Sequence, residues 1–146
     1  MLGPCAKGDS DEGVKKMMSG TVVAILPCND LDLSERFYRR LGFARIESSV
    51  SKESPTYRML SNGNGQLHLT ATVEDWLIPG RNPLGLYFYM EDVDAWAKEF
   101  RDEIRGKGPE EKPWGMYEFA VSDPDQTLVR VGWPIRLRKL RTTEGL

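Results

Sequence analysis

The sequence predicts an α+β fold made of two tandem βαβββ modules, and three observations carry that prediction. Strand-length apolar runs and helix-period stretches follow one another as strand, helix, three strands, and the order occurs twice. The two copies also share one offset. Asn29-Asp30-Leu31-Asp32 and Glu91-Asp92-Val93-Asp94 lie 62 positions apart, as do Tyr38 and Phe100, and the alternating strands centred on His68 and Arg130. Third, Met116 to Val121 and Leu128 to Val131 flank an Asp123-Pro124-Asp125 bend, which is a β-hairpin pattern. A chain of 146 residues fits one domain or two small modules sharing a core.

Residues 1–19 mix Gly, Ser, Asp, Glu and Lys without periodicity and are set outside the fold as a tail. Thr21 to Leu26 is a continuous apolar run of strand length closed by Pro27, expected to be a buried strand. Asn29-Asp30 then supplies a helix cap, and Leu33, Phe37, Tyr38 and Leu41 recur at helical spacing until Gly42 ends the helix. That placement turns Arg36, Arg39 and Arg40 toward water. Phe43 to Val50 and Pro55 to Leu60 are expected as two strands, and Asn62-Gly63-Asn64-Gly65 as a hairpin turn, because Asn and Gly tolerate positive φ. Gln66 to Thr70 alternates cleanly: Leu67 and Leu69 on one face, Gln66, His68 and Thr70 on the other.

Residues 72–83 connect the modules, which span 20–72 and 83–134 within a 20–134 domain. Leu84 to Met90 is the next strand, and Trp96, Phe100 and Ile104 mark the second helix. A further strand is expected in the weakly patterned segment near Glu110 to Trp114, before the hairpin; 135–146 is a C-terminal tail. Each sheet, covered on one face by its helix, leaves a polar-lined second face. Two such faces brought together enclose a cavity, a usual place for a small ligand.

Composition excludes several function classes. With 40% apolar and 29% charged residues and a net charge of −2, neither disorder nor a nucleic-acid-binding surface is indicated. Cys5 and Cys28 do not make a disulfide framework, no apolar run approaches the roughly 20 residues that span a bilayer, and the N-terminus lacks the apolar middle of a signal peptide. The expected location is the cytoplasm, without membrane contact.

Two stretches resemble the glyoxalase/bleomycin-resistance/extradiol-dioxygenase group, also called the vicinal oxygen chelate superfamily, over about residues 21–134. Asn29-Asp30-Leu31-Asp32-Leu33-Ser34-Glu35-Arg36-Phe37-Tyr38-Arg39-Arg40-Leu41-Gly42-Phe43 is similar to the group's opening stretch. Pro113-Trp114-Gly115-Met116-Tyr117-Glu118-Phe119-Ala120, with Asp123-Pro124-Asp125 after it, resembles the bleomycin-resistance branch more narrowly. The departure is Gln126-Thr127 where Gly-Asn is usual, which implies a less relaxed turn.

Enzymes of the superfamily hold a divalent metal by His, Glu or Gln on four strands. The resemblance puts those positions at or beside Val23, His68, Leu86 and Arg130, of which only His68 is a plausible ligand. A guanidinium repels a cation, and His68 is the only histidine, so neither a second imidazole nor a base for a Cys28 or serine nucleophile exists. The expectation is therefore binding rather than catalysis, with no metal and no cofactor. The bleomycin-resistance branch implies a domain-swapped homodimer that sequesters a planar antibiotic in clefts at the interface, a tryptophan matching Trp114 stacking on it. The alternative is a metal-dependent glyoxalase- or dioxygenase-type enzyme. Candidate ligand contacts are Trp114, Glu118, His68, Arg130, Tyr87 and Phe88. Tyr87 and Tyr89 share one face of their strand and Leu86, Phe88 and Met90 the other, so one set lines the cavity. Glu118 suits a basic ligand, whereas Arg58, His68 and Arg130, if inward, make the pocket less acidic than a polycation needs and favour an anionic or neutral one.

Overall fold

The structure, a computed structural model, describes residues 16, 18–46 and 54–138. Its elements run β1 (Ala24–Cys28), α1 (Leu31–Arg39), β2 (Ala44–Arg45), β3 (Tyr57–Ser61), β4 (Gln66–Ala71), β5 (Gly85–Tyr89), α2 (Val93–Glu99), β6 (Glu110–Glu111), β7 (Met116–Ser122) and β8 (Leu128–Pro134). They form two four-stranded sheets of identical topology, β1-β4-β3-β2 and β5-β8-β7-β6. In each, the first strand of the module runs parallel to the last, and the other neighbours are antiparallel. The duplicated βαβββ order is thus observed, β6 included. Of the Phe43–Val50 strand only Ala44–Arg45 is seen, and 47–50 lie outside the described residues.

Local chemistry fixes the element ends. Asp30 accepts hydrogen bonds from the Asp32 and Leu33 amides at the start of α1, and Asp92 accepts one from Ala95 at the start of α2, so the two caps sit at the repeat offset. Gly42 closes the first helical segment at φ +90°. In the β3–β4 turn, Gly63 takes φ +92° and Asn62 Oδ1 accepts from the amides of Asn64 and Gly65. The second helix is shorter than its spacing predicts: it stops at Glu99, and Ile104 packs on the core from the turns that follow.

The helix-facing residues of both sheets join in one core. Leu67 and Leu69 from β4, Phe119 and Val121 from β7, and Val129 and Val131 from β8 meet Phe37 and Tyr38 of α1 and Val93 and Ala97 of α2. Phe37 contacts Phe100 at 5.6 Å between ring centroids, and Tyr38 and Phe43 both contact Phe88, at 6.4 and 5.5 Å. Each such side chain contributes on the order of 1.5–3 kcal/mol through burial.

Three sequence expectations change here. Leu33 is not part of the buried stripe, which runs through Leu31, Ser34, Tyr38 and Leu41 instead. Arg40 does not simply face water: its guanidinium lies 4.2 Å from the Phe100 ring centroid and pairs with Glu99 and Glu103 of the other module. The first strand is neither closed by Pro27 nor buried on both sides. It is an edge strand that contains Pro27, and an edge position accommodates a residue with no N–H. Leu26 and Cys28 point into the core, while Ile25 is 59% exposed and the preceding Val22 93%.

A second, polar seam ties the modules. Asp125 Oδ1 accepts from the backbone and side-chain N–H groups of Asn29 at 3.2 and 2.8 Å, and its Oδ2 accepts from Ser34 Oγ at 3.3 Å. Asp123 Oδ2 accepts from the Tyr38 hydroxyl at 2.7 Å, while its Oδ1 accepts from the Asp125 and Thr127 amides and so builds the bend itself. Asn82, in the connection between modules, donates to the Asp125 carbonyl and to Thr127 Oγ1. Both carboxylates are buried.

Candidate functional site

Helices and core cover one face of each sheet, and the other faces stay open. On the second sheet the open face gathers four predicted residues. β5 pairs with β8 so that Tyr87 stands opposite Arg130, and β7 pairs with β8 so that Glu118 stands opposite Gly132. Trp114 projects from the tight turn between β6 and β7, where the Gly115 amide donates to the Lys112 carbonyl and Gly115 holds φ +84°. Its indole Nε1–H donates to Glu118 Oε1 at 2.6 Å, the Tyr87 hydroxyl donates to the same oxygen at 3.3 Å, and Arg130 Nε lies 3.7 Å from Glu118 Oε2.

Glu118 is only 2% exposed. Its carboxylate is therefore occupied in fixing the indole and the phenol, and a ligand has little direct access to it. Burial, and then the neighbouring Glu118 charge, push the Tyr87 hydroxyl well above the ordinary tyrosine range, so it remains a donor at neutral pH. Trp114 keeps 55% of its surface exposed, with the Arg130 guanidinium carbon 5.7 Å and Lys112 Nζ 5.9 Å from its ring centroid. The arrangement offers a clamped aromatic platform beside cationic groups.

Gly132 makes this cluster possible. A Cβ there would fall 2.2 Å from the Tyr87 hydroxyl oxygen and 2.8 Å from Glu118 Cβ. A glycine inside a strand often marks such close approach. The alternating pattern Leu128 to Val131 stops one residue short of this glycine.

The first sheet presents a different open face. His68 stands between Ile25 and Met59 in register, and its Nδ1 lies 2.7 Å from the Tyr57 hydroxyl. Its Nε2 is covered and has no hydrogen-bond partner. Burial lowers the His68 pKa, which favours the neutral ring. Tyr57 gave no signal in the sequence beyond strand propensity.

Phe88 lies on the core side of β5 with Leu86 and Met90, so Tyr87 and Tyr89 are the pair on the open face. Arg58 likewise points to the helix side, where it pairs with Asp32 at 2.8 Å and with buried Glu35 at 3.4 Å. It adds no charge to the open face. The Cys28 thiol donates to the Leu26 carbonyl, and burial pushes its pKa up to about 12, so it is protonated at neutral pH and a poor nucleophile.

The positions that carry metal ligands in superfamily enzymes do not suit a divalent cation here. Val23 is apolar and lies just before β1, His68 offers one covered nitrogen, Leu86 packs on the core, and Arg130 brings positive charge; the neighbours in register, Ile25 and Tyr87, add neither imidazole nor carboxylate. Among the described residues no three His, Cys, Asp or Glu side chains gather. Also among them, no helix is long and apolar enough to cross a membrane.

Two βαβββ modules joined through one core, each with an open sheet face, define a paired-module scaffold. The chain belongs to the Glyoxalase/Bleomycin resistance protein/Dioxygenase superfamily, whose sequence profile matches residues 20–131. Among solved structures it is similar to a bleomycin-binding protein complexed with bleomycin (24% identity, 77% of this chain and 97% of that one, TM-score 0.61). A bleomycin resistance determinant encoded on the transposon Tn5 is similar at 24% identity, over 78% of this chain and 97% of that one, with TM-score 0.62. Lactoylglutathione lyase from Agrobacterium tumefaciens is similar at 23% identity, over 78% and 93%, with TM-score 0.58. At these identities the likeness shows the fold. No curated protein sequence matches the chain.

Proposed function

We propose that the protein is a metal-free homodimeric binding protein that sequesters a planar antibiotic or similar small molecule against Trp114 without altering it. The observation that carries this reading is the exposed indole, fixed by its N–H to buried Glu118 at 2.6 Å. A rigid aromatic face of that kind gains roughly 0.5–1.5 kcal/mol from stacking beyond area burial. Exposed Ile25 and Tyr89 on the open faces support the dimer, since apolar surface of this sort gains by being covered. The solved complex of a bleomycin-binding protein with bleomycin supports the ligand class. Sedimentation of the purified protein tests the dimer, and calorimetric titration with planar aromatic ligands of differing charge, bleomycin among them, tests the ligand. A monomer, or a protein that gives no heat with any of them at protein concentrations above the micromolar range, would sink the reading.

The rival is a metal-dependent enzyme of the glyoxalase or dioxygenase type, favoured by the likeness to a lactoylglutathione lyase and by the unpartnered His68 Nε2. It requires stoichiometric Ni, Zn, Mn or Fe in the purified protein, which elemental analysis reads directly.

A further inference from the structure

The cleft beside Trp114 carries more positive than negative accessible charge. A cavity of about 100 Å³ lies against the indole, bordered by Arg105, Lys112 and Arg130 and by Glu110 and Glu118. The two carboxylates are not equivalent to the three cations. Glu118 is buried and held by Trp114 and Tyr87, and Glu110 is matched by Lys112 Nζ at 2.6 Å. Three cations against two carboxylates leave an excess of one positive charge, and two guanidiniums keep donors that form no hydrogen bond among the described residues. Arg130 keeps its side chain 41% exposed and reaches Glu118 only at 3.7 Å, beyond hydrogen-bonding distance. Arg105 is anchored by its backbone amide to the Ala120 carbonyl at 2.8 Å, and its side chain forms no ion pair among the described residues.

Two guanidinium forks with unspent donors beside one small cavity suit a planar oxyanion, because the fork geometry matches a carboxylate's two oxygens. The cavity is too small for a whole drug-sized molecule, which needs several hundred Å³. It has the size of a head group. From this we infer that the site takes a planar aromatic carboxylate, with its ring on Trp114 and its carboxylate in the cavity between Arg105 and Arg130. The inference rests on the reading of Trp114 as a stacking platform and adds the sign of the ligand's charge, which is opposite to that of a polycationic drug. No bond is made or broken.

The test uses one ring system in three charge states, 2-naphthoate, 2-naphthol and 2-naphthylmethylammonium, titrated into the full-length protein by calorimetry and tryptophan fluorescence. Naphthoate is expected to bind at least tenfold more tightly than naphthol, and the ammonium more weakly than either. Arg105→Gln and Arg130→Gln are each expected to weaken naphthoate by roughly tenfold or more, the scale of a hydrogen bond to a charged group, and to weaken naphthol by less. The naphthoate preference is expected to shrink in 0.5 M salt, where charges near solvent are screened. Equal binding of all three, stronger binding of the ammonium, or an undiminished naphthoate affinity in both arginine variants overturns the anionic assignment and leaves the stacking platform standing. If none of the three binds, the platform falls with it.

Discussion

The open faces of the two sheets occupy equivalent backbone positions and have diverged in chemistry. In the first, His68 lies between Ile25 and Met59; in the second, Arg130 lies between Tyr87 and Ala120. Opposite Thr70 stands Tyr57, and opposite Gly132 stands Glu118. The result is one neutral face, with a phenol 2.7 Å from an imidazole nitrogen, and one charged face, with a buried carboxylate that fixes an indole and a phenol. On their helix sides the modules remain alike: Leu67 and Leu69 match Val129 and Val131, and both sets sit in one core. The two modules share what folding requires and differ on the faces that do not touch the core. A ligand at the first face would meet an apolar, neutral wall, and one at the second a cationic, aromatic one.

The comparison predicts first that the seam costs more to break than either face. Asp125→Ala removes the acceptor for two Asn29 donors and for Ser34, leaving partly buried groups unpaired. A loss of about 3 kcal/mol in urea-unfolding stability is expected, within one cooperative transition, since both modules share the core. A two-step transition in the variant would show that the halves hold separately.

The two faces are expected to differ in how much a single alanine substitution costs. Gly132→Ala places a Cβ within 2.2 Å of the Tyr87 hydroxyl oxygen and 3.0 Å of the Tyr117 carbonyl oxygen, so Tyr87 must leave Glu118. A cost of roughly 1–3 kcal/mol is expected, with a shift in tryptophan emission as the Glu118 cluster loosens. Thr70→Ala, at the equivalent place in the first module, removes atoms from a half-buried side chain and is expected to cost less than about 1 kcal/mol. Similar losses at both positions would mean that the second face is no more tightly built than the first.

How far the sequence reveals this molecule depends on the distance over which its signals act. Caps, turns and alternation are local, and Asp30, Asp92, Gly63 and the Leu67/Leu69 stripe stand where their spacing puts them. The register of the repeat was legible too, because backbone equivalence leaves one offset in the sequence. The two family-like stretches, however, meet each other: Asn29, Ser34 and Tyr38 of the first bond Asp125 and Asp123 of the second. Those five residues therefore serve the seam, which no local pattern reveals. The candidate site was half legible. Trp114, Glu118, Tyr87 and Arg130 converge, but Phe88 turns to the core, His68 belongs to the other face, and Arg105, Lys112 and Gly132 enter through strand pairing and loop placement alone.

The hairpin turns of the two modules also differ, at a smaller cost in energy. The first module places Gly63 at φ +92° in its β3–β4 turn, whereas the second places Gln126 at φ +62° in its β7–β8 turn. A side chain in that region costs on the order of 1–2 kcal/mol, partly offset because glycine loses more backbone entropy on folding. Gln126→Gly is thus expected to raise stability by about 0.5–1 kcal/mol, read as a higher urea midpoint at unchanged slope. A lower midpoint would mean that the Gln126 side chain makes contacts worth more than the strain.

The smallest expected effect is a pH dependence confined to the first face. Burial lowers the His68 pKa, with the Tyr57 hydroxyl, Ile25 and Met59 as its immediate neighbours, so the folded protein binds that proton less tightly than the unfolded chain. The corresponding stability is fully present above the unfolded histidine value of about 6.5 and is lost as pH falls below it toward the lower folded value. Thermal midpoints of the wild type are therefore expected to fall more between pH 8 and pH 5 than those of His68→Gln, which keeps a polar side chain without the titration. Parallel curves for the two proteins would mean that the imidazole ionises as easily in the fold as in the open chain, and that the neutral character assigned to the first face is wrong.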